Sequence, residues 1–167
     1  MPKDIPAILK VTTTGPSAVE VTWKGGSKDH IELAGWIATG GDILAALRDP
    51  ALFKTALVGE FGAMVAWGDN DDLAIDALHL QRIAAEQRGT DASELDGWQT
   101  TNNFTNDEAA HIFGVSRSTW AAYKSGGAEI PSTVQIAFRA ILRDPVITQA
   151  HYRPLKGTPG RPPKNAA

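Results

Sequence analysis

The stretch "FGVSRSTWAAYKSGG", residues 113–127, contains most of the features that decide the fold of the second half of the chain. Two helices that cross closely need a small residue near the crossing, and the sharp turn between them needs a residue that tolerates positive φ. Ala110 and Gly114 meet these two needs, four residues apart. Trp120 and Tyr123 have the spacing of residues that point inward from the second helix. The stretch therefore predicts a helix-turn-helix.

Flanking residues predict where the helices begin and end. The run Thr105-Asn106-Asp107-Glu108 is a capping box, in which a hydroxyl and a carboxylate satisfy free amides at a helix start. Ser116 can cap a second helix over 117–124, which Gly126-Gly127 would end. A third helix, from Ser132 to about Arg143, has apolar residues at helical spacing. These residues are Val134, Ala137, Phe138, Ile141 and Leu142.

The outward face of the second helix carries side chains that suit DNA. In helix-turn-helix proteins this helix lies in the major groove. Arg117 could contact a guanine through two hydrogen bonds, which is worth about 1–3 kcal/mol of discrimination. The helical period also turns Ser118, Ala121 and Ala122 outward. Ser118 could bind a base or a phosphate, and Ala122 could touch a thymine methyl group. Double-stranded DNA is therefore the expected partner.

The run "FTNDEAAHIFGVSRSTWAAYKSGGAEIPS", residues 104–132, resembles the helix-turn-helix of the lambda-repressor-type (Xre) transcription regulators. The resemblance implies a phosphate near Asn106 and a backbone contact from Lys124. It also implies that the side chains facing the major groove are Arg117, Ser118, Thr119 and Ala122, of which Thr119 could bind a base or a phosphate. Trp120 departs from the family, which commonly has a smaller branched residue there. We expect Asp76–Gln87 to be the preceding helix of that fold, with 89–103 as a connector that could contain a single helical turn around Ser93–Trp98. The predicted DNA-binding residues of the motif are Thr105, Asn106, Arg117, Ser118, Thr119, Ala122 and Lys124.

Charge is distributed unevenly along the chain. Residues 1–114 hold 8 Lys/Arg and 17 Asp/Glu, a net charge of −9, whereas residues 115–167 hold 8 and 2, a net charge of +6. A sign reversal of this size indicates nucleic-acid contact by the basic part. The acidic part would be repelled by the DNA backbone.

The first part of the chain reads as a small, mostly antiparallel sheet. Val19, Val21 and Trp23 alternate with polar residues, and the alternation resumes at Ile31 and Leu33, so these five side chains are expected to face a core. A short helix is expected over Ile43–Leu47, stopped at Asp49-Pro50. Further strands are expected at Ile8–Thr12, Thr55–Val58 and Ala63–Trp67.

Two runs in this part, "VTWKGGSKDHIELAGW" and "LRDPALFKTALVGEFGAMVAWGDNDDLAIDALHL", resemble the small bacterial domain called domain-of-unknown-function family 2442. They share a hairpin, Leu-Arg-Asp-Pro before a Leu-Phe pair, and a glycine-flanked strand that ends in Trp67. The resemblance implies an architecture but no activity, since that family has no settled function.

The last residues, 154–167, are rich in Pro, Gly, Lys and Arg and lack an apolar period. Within them, Gly160-Arg161-Pro162-Pro163-Lys164 resembles the core of an AT-hook, whose arginine lies in the minor groove of A·T-rich DNA. By this interpretation Arg161 is a further DNA-binding residue. A merely solvated, unstructured tail is the alternative.

Several function classes are disfavoured by composition. The chain has no cysteine, and no run approaches the ~20 apolar residues of a membrane span, so we expect a cytoplasmic protein that does not contact membranes. The sequence contains no recognisable nucleophile–base set, pair of catalytic carboxylates or phosphate-binding loop. We therefore expect no enzyme activity and no cofactor. The histidines show no metal-ligand pairing, and Asp69–Asp72 lacks the EF-hand pattern. We interpret that acidic run as a strand-to-helix turn capped by Asp71 or Asp72.

Together these features predict an α+β protein: an acidic sheet domain over 1–75, a helix-turn-helix domain over 76–153 with its motif at 105–125, and a basic tail. The expected function is that of a bacterial sequence-specific transcription regulator acting as a homodimer. A protein-interaction module, for example an antitoxin-like adaptor whose sheet domain binds a partner protein, is the alternative. A small-molecule sensor is a third possibility.

Overall fold

A computed structural model describes residues 5–70 and 72–155 and shows an α+β protein with antiparallel sheets. The chain divides into two compact units between Arg88 and Gly89. We call residues 5–88 the sheet unit and residues 89–155 the helical unit. The α+β fold class agrees with the sequence prediction, but the boundary lies thirteen residues beyond the one expected after residue 75.

The sheet unit contains two three-stranded antiparallel sheets, ordered β1-β2-β3 and β4-β5-β6. Short helices and two 3-10 turns, Ala46–Arg48 and Glu60–Gly62, connect the strands. The strands are β1 (Ile8–Thr13), β2 (Ala18–Trp23), β3 (Lys28–Glu32), β4 (Leu57–Val58), β5 (Met64–Ala66) and β6 (Ala74–Asp76). The helices are α1 (Ala34–Thr39), α2 (Gly41–Ala45), α3 (Pro50–Phe53) and α4 (Ala77–Gln87).

The predicted hairpin is present, and its apolar side chains face the core. Val19 of β2 pairs with Ile31 of β3, and both are buried. Val21, Trp23 and Leu33 are buried in the same core, as their alternation with polar residues predicted. The register of β2 and β3 is therefore the one that places Val19, Val21, Trp23 and Ile31 on one face.

Helix α4 is the reason that the domain boundary was misplaced. Ala77, Leu80 and Ala84 are buried in the core of the sheet unit, so this helix belongs to that unit and not to the helix-turn-helix domain. It begins at Ala77, one residue after the expected Asp76, because residues 74–76 form strand β6. The helix cap is consequently Asp76, whose Oδ1 accepts from the N–H of His79 at 2.9 Å, and the cap expected at Asp72 was wrong. Asp71 lies outside the described residues.

The helical unit consists of helices along its whole described length. The expected connector over 89–103 instead contains a helix, whose first turn is closed by a capping box between Asp91 and Glu94. This helix, and not Asp76–Gln87, precedes the helix-turn-helix within the unit. The helices are α5 (Ala92–Thr101), α6 (Asn106–Ile112), α7 (Arg117–Ser125), α8 (Ser132–Arg143) and α9 (Pro145–His151).

Aromatic side chains form the centre of the helical unit. The ring of Trp98 meets Phe104, Phe113, Trp120 and Phe138 edge-on, with ring centroids 5.5–6.1 Å apart. Trp120 is fully buried and also stacks on Phe113 at 4.9 Å. The large side chain that departs from the lambda-repressor type is thus accommodated by an aromatic cluster.

Helix α8 has the predicted bounds but a narrower buried face. Val134, Phe138 and Ile141 are buried, whereas Ala137 and Leu142 are exposed, contrary to the expected inner face.

Tyr152, just beyond α9, ties the end of the described chain to the start of α6. Its hydroxyl donates to Oε1 of Glu108 at 2.7 Å, and its ring stacks on Phe104 with centroids 5.0 Å apart. Glu108 is buried and its other oxygen closes the capping box of α6, so one carboxylate accepts hydrogen bonds at both of its oxygens.

Within the part of the chain that the structure describes, no helix combines the length and the apolar character needed to cross a membrane.

Candidate nucleic-acid interface

The turn between α6 and α7 is a Schellman motif. The N–H of Gly114 donates to the carbonyl of His111 at 3.1 Å, and the N–H of Val115 donates to that of Ala110 at 3.0 Å. Gly114 has φ of +66°, in the left-handed region. A Cβ built on Gly114 would meet no atom within 4 Å, so glycine is favoured here by its backbone angle and not by crowding. Ala110 is buried, as expected of a residue near a helix crossing.

The start of α7 is organised by three hydroxyls. Ser116 is the N-cap, and its Oγ accepts from the N–H of Thr119 at 3.0 Å. The same oxygen lies 2.9 Å from Oγ of Ser118 and 2.8 Å from Oγ1 of Thr119. Arg117 and Ser118 are exposed and Thr119 is half-buried, so the first turn of the helix is open to a ligand on one side.

The faces of α7 are clearly divided. Trp120 and Tyr123 are buried, as predicted. At 100° per residue, the opposite face carries only serine and alanine side chains, namely Ser118, Ala121, Ala122 and Ser125. Arg117 and Lys124 are seven residues apart and so share one flank between these faces, about 10 Å apart along the axis.

Each cation of α7 pairs with an acidic residue of an earlier helix. Arg117 NH1 lies 3.6 Å from Oδ2 of Asp107 in α6, and its side chain is 70% exposed. Lys124 Nζ lies 2.8 Å from Oδ1 of Asp96 in α5, and its side chain is only 17% exposed. Arg117 is therefore loosely held, whereas Lys124, expected to contact the DNA backbone, is engaged with another helix.

Thr105 and Asn106, the two predicted DNA-binding residues at the start of α6, differ in whether their polar side-chain groups are free to bind a ligand. The hydroxyl of Thr105 accepts from the N–H of Glu108 and donates to its Oε2, so it is occupied by the predicted capping box. Asn106 is half-buried, and its Oδ1 accepts from Nε2 of Gln99 at 3.0 Å. The amide nitrogen of Asn106 has no hydrogen-bond partner among the described residues.

Gln99, which sequence reasoning missed, links these elements. Its Oε1 accepts from the indole N–H of Trp120 at 2.7 Å, and its Nε2 donates to the Phe104 carbonyl and to Asn106 Oδ1, both at 3.0 Å. Because an indole N–H can only donate, it fixes which end of the Gln99 amide is the acceptor. That in turn fixes Asn106 with its oxygen toward Gln99, which leaves its NH₂ group free to donate.

The charge of the folded helical unit differs from that of the sequence halves. Residues 89–155 hold five Lys/Arg and seven Asp/Glu, a net charge of −2. Five of the acidic residues precede residue 115, yet they belong to the same unit as the helix-turn-helix. The three remaining cations of the C-terminal part are Lys156, Arg161 and Lys164, and they lie outside the described residues. The residues that resemble an AT-hook, 160–164, lie outside them as well. Any DNA contact by the described unit must therefore depend on local placement of cations rather than on net charge.

No protein-family model matches the sequence, and no curated protein matches it. Among solved structures, the chain is similar to a crystal structure of a "putative DNA binding protein" from Nitrosomonas europaea. The two share 22% sequence identity with a TM-score of 0.43, over 82% of this chain and 86% of the other. That score is too low to establish a shared fold. The described residues contain no group of three or more His, Asp or Glu that could hold a metal ion.

Proposed function

We propose that this protein binds double-stranded DNA with α7 lying in the major groove. The observation that carries the proposal is the geometry of α6 and α7. They are joined by a glycine turn, α7 is anchored by the buried Trp120 and Tyr123, and its first turn presents Arg117 and Ser118 to solvent. Helix-turn-helix proteins dock with the first residues of their second helix against base edges.

The described contacts support a different proposed role for each of the predicted residues. Arg117 is the base-reading residue, since its side chain is largely exposed and only loosely paired. Asn106 donates to a phosphate through the NH₂ group that Gln99 leaves free. Thr105 acts as a helix cap, because its hydroxyl is already occupied. Ser118, Thr119 and Ala122 complete the surface toward the groove.

The finer proposal is a bacterial transcription regulator of the lambda-repressor type that acts as a homodimer. One arginine and a few small side chains read only a short sequence, and two protomers would double it. A two-fold dimer would recognise half-sites one helical turn of DNA apart, or a multiple of it.

Selection of bound duplexes from a random pool, followed by titration at two salt concentrations, tests this proposal. We expect an inverted repeat to be enriched and affinity to fall as the salt concentration rises. Two matched variants localise the contact, each adding one negative charge to an exposed position. Ser118→Glu on α7 should abolish binding, whereas Ile136→Glu on α8 should leave it nearly unchanged. Absence of binding to any duplex at low ionic strength would overturn the proposal.

One observation favours the alternative of a protein partner for the sheet unit. Phe61 is 88% exposed and has φ of +57°, an unfavourable backbone angle for a non-glycine residue. Lys24 Nζ donates to its carbonyl at 3.2 Å, which supports this loop. Strained backbone with an exposed aromatic side chain is typical of binding sites. A stoichiometric partner that is lost in Phe61→Ser but retained in Leu78→Ser, a matched exposed position on α4, would support it.

A further inference from the structure

We infer that Asp96 is a specificity-determining residue, whose carboxylate keeps Lys124 from DNA phosphates and so lowers affinity for duplexes of every sequence. The inference rests on the proposed DNA-binding function and deepens it. It concerns a residue of α5, a helix that does not belong to the helix-turn-helix itself.

The two ion pairs of α7 differ in how firmly they hold their cation. The Lys124–Asp96 pair is short, at 2.8 Å, and the lysine side chain is mostly buried while the aspartate remains exposed. The Arg117–Asp107 pair is longer, at 3.6 Å, and its arginine is mostly exposed. Arg117 can thus leave its partner for a base at little cost, whereas Lys124 has to give up a charged hydrogen bond and its packing.

The position of Lys124 makes this difference relevant to DNA. It lies on the same flank of α7 as Arg117, two turns further along, so a duplex read by Arg117 would extend past it. A lysine at such a place would ordinarily neutralise a phosphate and contribute to sequence-independent affinity. Paired with Asp96 it adds no net charge.

The consequence concerns specificity rather than strength. Contacts to phosphates raise the affinity for all sequences alike, whereas base contacts raise it for the operator alone. With Lys124 engaged, the described unit binds mainly through the residues that read sequence. This fits its net charge of −2, which offers little attraction to arbitrary DNA.

The test compares four forms of the full chain on a random-sequence duplex: wild type, Asp96→Ala, Lys124→Ala and the double variant. We expect Asp96→Ala to bind at least about threefold more tightly at low salt and to gain about one phosphate contact. The slope of log K against log salt should then steepen by about 0.9, an additional loss of roughly threefold to fourfold between 50 and 200 mM. Glu129→Ala controls for removal of a negative charge without release of a cation, since Glu129 forms no ion pair among the described residues.

The change in slope has to depend on Lys124. In the Lys124→Ala background, removal of Asp96 should leave the slope unchanged and restore affinity only to about the wild-type level, because it removes the carboxylate that Lys124→Ala leaves unpaired. Asp96→Glu should keep wild-type affinity. If wild type binds and Asp96→Ala leaves the slope unchanged, or steepens it equally without Lys124, the role of Asp96 is wrong while the proposed function stands. If neither wild type nor Asp96→Ala binds any duplex, both fail.

Discussion

The indole N–H of Trp120 donates a 2.7 Å hydrogen bond to Oε1 of Gln99, and this bond links the buried face of α7 to α5. Since both groups are buried, neither can exchange its partner for water. The bond also sets the orientation of the Gln99 amide and, through it, of Asn106. A tryptophan in α7 thus determines that Asn106, at the start of α6, has its amide oxygen toward Gln99 and its NH₂ group free to donate.

Replacing Trp120 by phenylalanine should measure how much this hydrogen bond contributes to the free energy of unfolding. The variant Trp120→Phe leaves the Gln99 carbonyl oxygen buried without its donor, which costs about 1–3 kcal/mol in addition to the loss of volume. Trp98→Phe is the control, because its indole makes no side-chain hydrogen bond with the described residues. Urea unfolding should show the larger loss for Trp120→Phe. Equal losses would mean that the bond adds little.

Gly114→Ala should destabilise the helical unit through backbone strain alone. A left-handed residue with a Cβ costs about 1–2 kcal/mol, and no atom lies near enough to add a clash. Gly114→Asn should cost less, because asparagine tolerates this region better. Gly97→Ala provides the contrast: Gly97 lies inside α5 without positive φ or crowding, so alanine there should stabilise the unit by about 0.5–1 kcal/mol. Thermal unfolding of the three variants measures these effects.

Arg117→Ala should relax sequence preference at one position of each half-site, because a base contact of this kind is worth about 1–3 kcal/mol. Lys124→Ala should instead weaken binding to all sequences alike, since it leaves the Asp96 carboxylate unpaired near the DNA. Binding-site selection with both variants separates the two effects. An unchanged base preference in Arg117→Ala would show that α7 is docked differently.

The sheet unit should lose stability in acid through Glu32. A hydrogen bond from Ser17, and backbone N–H groups of Leu33 and Ala34, hold the pKa of this carboxyl below its usual range although slight burial opposes them. Its contribution is therefore fully present above the ordinary pKa and is lost as the pH falls through the folded-state pKa. The free energies of unfolding of wild type and Glu32→Gln, plotted against pH, should converge below about pH 4. Curves that stay parallel would contradict this.

The helix-turn-helix could be predicted because its determinants are local. The Thr105 capping box, the Ser116 cap and the positive φ of Gly114 and Gly126 each follow from a few adjacent residues. The inward direction of Trp120 follows from helical period alone. The DNA-binding roles of the exposed residues stay predictions.

Helix α5 could be predicted only in part, because its one local signal is the capping box of Asp91 and Glu94. Its sequence, with Gly97 and several short polar residues, has weak helix propensity. Its stability comes from Leu95, Trp98 and Gln99, which are buried against residues distant in the chain. The misassignment of α4 has the same origin, since an amphipathic helix does not reveal which core it covers. Without α5, the partners of Lys124 and Asn106 could not be recognised.

The bond between Tyr152 and Glu108 has a practical consequence for anyone shortening this chain. The helix-turn-helix motif ends near residue 125, so a fragment that ends soon after α8 would contain the whole motif. Such a fragment would lose the hydroxyl donor to a buried carboxylate and the ring that covers Phe104. The smallest autonomous piece carrying α7 should therefore start before Asp91 and retain Tyr152.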